Sequence, residues 1–291
     1  MDIYKKKYCV ILGMILFVLM GIGSLWDYQI SLFFYDPYNI FGVFLASYGH
    51  LPALLCMAVA GTLLLRMIDQ SMKIKMIFYY ALAFLFNLIA VIGIALGPLL
   101  YIPEMTTLLS LVIAIGIVGI VDVLVYQLSL HASHETIKKI VLFILLVVAI
   151  EQLVINGIKI VWERPRMRLI SSRNDVSFQP WWVIGNSIKE QLMASGISSE
   201  EFKSFPSAHT ANAACAMILC TLPLLDKRIK GKENLLFFIG VCFTFLVAFS
   251  RIIMGAHFLT DVVVGMAICL MIQIVIVQFV FKKSKTRFYE K

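Results

Sequence analysis

His257 and Asp261 stand four residues apart in Ser250-Arg251-Ile252-Ile253-Met254-Gly255-Ala256-His257-Phe258-Leu259-Thr260-Asp261, where one apolar run ends and another begins. A chain helical from His257 places the carboxylate one turn from the imidazole on the same face. An aspartate so placed holds the ring in one tautomer and stabilises the cation that forms when the other nitrogen attacks. Taken alone, the pair is also an ordinary polar contact at a helix end. Two clusters upstream strengthen the chemical reading.

The first is Lys159-Ile160-Val161-Trp162-Glu163-Arg164-Pro165-Arg166-Met167. Lys159 and Arg166 are seven residues apart, two helical turns, so both can face one point. A mobile ammonium and a planar guanidinium fork together suit phosphate oxygens. Snorkelling of basic side chains at a membrane edge is the plainer explanation of either residue alone. The second is Phe205-Pro206-Ser207-Ala208-His209-Thr210. Pro206 and Ser207 suit a helix start, whose unpaired N–H groups favour an anion. Ser207 adds a hydroxyl donor, and His209 can deliver a proton to a leaving oxygen. Arg251, six residues before His257, completes the third cluster.

Membrane-spanning helices must position these residues. Of the 291 residues 61% are hydrophobic and only 14% charged, with a mean hydropathy of +0.92. That is the composition of an integral membrane protein. Eight apolar runs approach the 20 or so residues that cross a bilayer core: 8–26, 44–65, 76–101, 105–130, 140–161, 206–225, 235–254 and 257–281. The first follows Lys5-Lys6-Lys7 but lacks a small-residue cleavage site, so an uncleaved anchor is expected rather than a signal peptide.

Alternate connecting segments hold 17 of the 25 basic residues, including Arg66, Lys73, Lys75, Lys138, Lys139, Lys227 and the tail from Lys282. These segments, and with them both termini, are expected on the cytoplasmic side. The net charge of +8 is mostly topogenic and calls for no nucleic-acid partner. The remaining bases, among them Lys159, Arg164, Arg166, Arg168, Lys203 and Arg251, fall on the outer side against that rule. Anion binding would explain them.

Cys9, Cys56, Cys215, Cys220, Cys242 and Cys269 lie in or beside apolar runs and read as packing residues. Asn87, Asp122, Gln127, Glu151, Gln152 and Asn156 fall within the spans, where interhelical hydrogen bonding is the main expectation. The long outer link 166–205 carries Pro180-Trp181-Trp182, suited to the headgroup layer, and a short amphipathic piece around 184–193. His50, His131 and His134 are left without a role. No motif speaks to oligomeric state.

Lys-x6-Arg, then Pro-Ser-x-His, then Ser-Arg-x5-His-x3-Asp resembles the type 2 phosphatidate phosphatase and vanadium haloperoxidase superfamily, in its integral-membrane lipid phosphatase branch. The resemblance implies an all-α transmembrane bundle with a six-span core over 76–281, a two-span extension over 1–75 and a basic cytoplasmic tail over 282–291. It implies a phosphatase acting on a phosphorylated lipid at the outer leaflet without metal or other cofactor. His257, aligned by Asp261, would form a phosphohistidine, and His209 would act as acid and then base. Lys159, Arg166, Ser207, Arg251 and the N–H groups of Ala208 and His209 would hold the phosphate oxygens. Met167 replaces the family's proline after the arginine, and Ala208 replaces its usual glycine. Neither change touches a side chain that does chemistry. A transporter of phosphorylated solutes is the alternative, favoured by the span count, Asp122 and Glu151, but it leaves both histidines idle.

Overall fold

The computed structural model describes residues 3–68 and 73–281. The chain forms α1 (Lys6–Phe34), α2 (Ile40–Tyr48), α3 (Leu51–Leu65), α4 (Lys73–Tyr101), α5 (Thr107–Leu128) and α6 (His134–Trp162). The short helices α7 (Met167–Ser172) and α8 (Lys189–Ala194) follow, then α9 (Ala208–Ala214), α10 (Glu233–Ile253) and α11 (Leu259–Phe281). The expected all-α bundle is found, with no strand among the described residues. The basic tail from Lys282 lies outside them.

Among the described residues seven helical segments are long and apolar enough to cross a membrane. Their outward faces expose Phe17, Phe84, Leu108, Ile120, Leu153 and Phe279, side chains that water would disfavour and lipid accepts. The remaining expected span, Ala208–Leu224, is shorter. It is α9 continued by a 3-10 helix over Cys215–Leu224. Rising ~1.5 Å per residue in the first part and ~2.0 Å in the second, it still reaches roughly the 30 Å of a bilayer core.

Helix ends follow local chemistry. Asn39, Thr106, Ser133 and Ser207 each accept a hydrogen bond from a first-turn N–H of the helix they precede. Helix α6 stops where Glu163 turns left-handed (φ 51°) just before Arg164-Pro165. Between α10 and α11, Gly255 adopts φ 59°, where a β-carbon would also strike the Tyr35 ring.

The core packs α6, α9 and α11 around Ile144, Val147, Ile155, Ala211, Met266 and Cys269. Helix α1 lies on α11 and α10, α2 on α4 and α10, and α3 on α4, α5, α6 and α9. All six cysteines are free thiols; Cys56, Cys215, Cys220 and Cys269 are buried as packing residues, Cys9 is half-buried and Cys242 faces outward. Two of the intramembrane polar residues bridge helices as expected: Asp122 accepts from Thr62 at 2.5 Å, and Gln152 donates to Asn212 at 2.6 Å. Asn87 and Asn156 instead bond the preceding turn of their own helices. Among the described residues Glu151 accepts only from its neighbour Gln152 at 2.8 Å.

Candidate active site

The three clusters meet at one end of the bundle, tied by main-chain bonds. Ser204 N donates to Arg164 O at 3.0 Å, Ser207 N to Asp261 O at 2.9 Å, and Arg168 N to Gly255 O at 3.0 Å. Lys159 Nζ, in the last turn of α6, donates to Lys203 O at 2.6 Å. These contacts join segments that lie far apart in sequence, so the expected convergence is a property of the fold.

His257 is 2% exposed and sits in the turn between α10 and α11. Its Nδ1 lies 2.5 Å from Ser204 O, a carbonyl that can only accept, so Nδ1 carries the proton and Nε2 keeps its lone pair. This corrects the expectation of a direct bond from Asp261, whose Oδ2 stands 3.8 Å from Nδ1. The cause is local: α11 begins only at Leu259, so His257 is not on the helical face that carries Asp261. Asp261 Oδ2 is occupied by Ser204 Oγ at 2.5 Å and Phe258 N at 2.8 Å. Asp261 is therefore linked to the ring through Ser204, which accepts from His257 with its carbonyl and donates to Asp261 with its hydroxyl. Burial, then the charges of Lys159, Arg166, Arg251 and His209, hold the His257 pKa well below the ordinary imidazole range.

Arg251, in the last turn of α10, is 1% exposed, and its Nε and Nη1 have no acceptor among the described residues. Its guanidinium lies over the Tyr101 ring, 5.6 Å from the centroid. Arg166 is also buried; its Nη2 stands 3.8 Å from Glu200 Oε2 and its Nε has no acceptor among the described residues. Burying a cationic N–H without an acceptor costs several kcal/mol on the order of magnitude, and an oxyanion between these groups removes that cost. Ser207 caps α9 by accepting from Thr210 N at 3.3 Å and from Thr210 Oγ1 at 3.0 Å, which leaves its own proton to donate. The N–H groups of Ala208 and His209 open that helix, where intrahelical acceptors do not exist.

His209 is half-buried, with Nε2 3.3 Å from Ala46 O in α2. The bond fixes Nε2 as the protonated nitrogen and leaves Nδ1 to exchange a proton with a ligand. His50, which sequence reasoning left idle, lies edge-on to His209 with ring centroids 5.6 Å apart. Tyr101 flanks the same ring at 6.3 Å.

The sequence grouped Arg164 with the other bases that anion binding would explain, but the structure pairs it with carboxylates instead. It is fully buried, donating from Nη1 to Asp261 Oδ1 at 2.5 Å, from Nη2 to Asp27 Oδ2 at 2.9 Å and from Nε to Gln179 O at 2.8 Å. The Phe258 ring covers it at 4.3 Å. Its expected placement against the positive-inside rule was a signal, but one shared with every other base expected outside. Among the described residues no group of three His, Cys, Asp or Glu side chains is arranged to hold a metal ion.

The fold and site define a polytopic helical membrane protein with two imidazoles facing a buried cationic cup. A family model for the PAP2 superfamily matches residues 140–285, and the chain belongs to that superfamily. It is 35% identical over 75 residues to phosphatidylglycerophosphatase B of Bacillus subtilis (strain 168), an alignment covering 24% of this chain and 35% of that protein. The chain thus matches about a third of the length of that curated relative. No solved structure matches.

Proposed function

We propose that this protein is a metal-independent membrane phosphatase that releases phosphate from a phosphorylated lipid through a phosphohistidine on His257. The observation that carries the reading is the pair of buried guanidinium groups, Arg251 and Arg166, with N–H groups lacking protein acceptors around an imidazole whose Nε2 is free. A tetrahedral or trigonal-bipyramidal phosphoryl group supplies the acceptors.

In the first step the Nε2 lone pair of His257 forms the P–N bond as the P–O bond to the leaving group breaks. His209 enters as the imidazolium, with a proton on each ring nitrogen, and gives the Nδ1 proton to the departing oxygen. Lys159, Arg166, Arg251, Ser207 and the Ala208 and His209 N–H groups hold the non-bridging oxygens as charge builds. Water then attacks phosphorus, His209 takes its proton, and the P–N bond breaks to restore neutral His257.

The basic residues of the alternate links support an outer-leaflet site and cytoplasmic termini. Residues 1–75 then form an extension to the six-span core of 76–281. The name of the Bacillus relative puts phosphatidylglycerol phosphate first among substrates, ahead of phosphatidate-like lipids and polyprenyl diphosphates.

The test is a panel of these lipids with purified chain in detergent, with and without a chelator, measuring released phosphate. Turnover of at least one lipid, unchanged by chelation and blocked by vanadate, is expected; a requirement for added magnesium contradicts the mechanism.

The pH profile gives a second check. Neutral His257 is the nucleophile and its pKa is depressed. The acid limb of kcat/KM, which reports the free protein, therefore falls below the ordinary imidazole value of about 6.5, and a limb centred at or above that value rules the assignment out. Stability runs the same way: the unfolded ring takes a proton near pH ~6.5 that the folded ring refuses, so acidification below that point progressively favours unfolding.

A further inference from the structure

Asp27 reaches the site from α1, well upstream of residues 140–285 that match the family model. The backbone of Trp26 leaves helical geometry (φ −132°, ψ 19°), and Asp27 follows this break. Gly23, one turn earlier, lies so close to α11 that a β-carbon would come within 2.8 Å of Thr260 Cγ2. This close approach seats the 4%-exposed carboxylate against the N-terminus of α11.

Three donors converge on Asp27: Arg164 Nη2 at 2.9 Å, Thr260 N at 3.0 Å, and Thr260 Oγ1. Arg164 Nη1 donates to the same Thr260 hydroxyl at 2.9 Å and to Asp261 Oδ1 at 2.5 Å. One guanidinium is thus held between two carboxylates, one from α1 and one from α11.

With both carboxylates charged the trio carries one net negative charge, beside a ring that becomes cationic when its Nε2 is phosphorylated. Without Asp27, Arg164 would neutralise Asp261 outright, and the phosphoimidazolium would face the cations Lys159, Arg166 and Arg251 with no counter-charge from this trio. Resting on the phosphohistidine reading above, we propose that Asp27 is a positioning residue: it holds and offsets Arg164 so that Asp261 keeps its charge and placement for His257. The groups acting on His257 are then Asp27 on α1, Lys159 on α6, Arg164 and Arg166 after it, His209 on α9, Arg251 on α10 and Asp261 on α11.

The experiment compares the full chain with Asp27→Asn, Asp27→Glu, Arg164→Lys and His257→Ala in detergent. It measures kcat and KM for phosphate release, and vanadate affinity by titration calorimetry, which needs no turnover. Asp27→Asn is expected to lose at least about tenfold in kcat and in vanadate affinity with KM within about twofold, while Asp27→Glu stays within about threefold of the parent. A structural anchor would lower the unfolding temperature in both Asp27 variants and spare neither. Unchanged kcat and vanadate affinity in Asp27→Asn overturns the proposal, as does equal loss in Asp27→Asn and Asp27→Glu. If the parent binds vanadate through His257 but releases phosphate from no lipid, the proposed function fails, and the vanadate ratio still decides the role of Asp27. A parent that binds no vanadate overturns both. Should Asp27→Asn not remain monodisperse, Arg164→Lys keeps the charge but loses the fork; full activity and vanadate affinity there overturn the proposal too.

Discussion

His257→Ala is expected to release phosphate on the order of ten-thousandfold more slowly than the parent chain, with KM little changed. On the proposed mechanism the change removes the attacking Nε2 but leaves Lys159, Arg166 and Arg251, the proposed phosphate ligands. Its structural cost is small by comparison. Ser204 O loses the Nδ1–H donor, and one unpaired buried carbonyl costs about 1–3 kcal/mol. The unfolding temperature should therefore fall by only a few degrees. Phosphate release by His257→Ala at a tenth of the parent rate or more would place the nucleophile elsewhere.

Arg251→Leu is expected to separate activity from stability. The guanidinium is buried with Nε and Nη1 lacking acceptors among the described residues, so the folded protein bears a cost that a bound anion relieves. Leucine fills part of the space without that cost, and replacing buried unpaired charge by an apolar group is often neutral or stabilising. Catalysis loses a donor aimed at the developing charge, a change worth about a hundred- to a thousandfold in kcat. The expected outcome is an unfolding temperature equal to or above the parent's, together with that loss of turnover. A fall in both would make Arg251 a packing cation of the α10 terminus instead.

These two residues were legible in the sequence for the same reason. An imidazole and a guanidinium in segments that the positive-inside rule leaves outside a lipid-embedded chain run against both hydropathy and that rule, and function is the usual reason for such an expected placement. Lys159, Arg166 and His209 shared that visibility. The partner of His257 Nδ1 did not, because Ser204 contributes a main-chain carbonyl, which every residue has. Reading His257 and Asp261 as one helical face assumed a helix where Gly255 instead makes a left-handed turn. The Asp27–Arg164 pair is separated by 137 residues, and no local periodicity links them. His50 was unassigned for a similar reason: its nearness to His209 depends on how the junction of α2 and α3 packs against α9. The span boundaries were nearly all visible in the apolar runs, but composition does not distinguish the 3-10 bonding of Cys215–Leu224 from α-helical bonding.

The nucleophilic role of His257 is tested most directly by trapping the phosphoenzyme. The full chain is mixed with lipid labelled in its terminal phosphate, quenched within milliseconds under alkaline conditions that preserve phosphohistidine, and the labelled peptide is sequenced. Label on the peptide carrying His257, present in the parent and absent from His257→Ala, is the expected result. Label on another residue, or full turnover with no covalent intermediate and inversion at a chiral phosphorus, would contradict it.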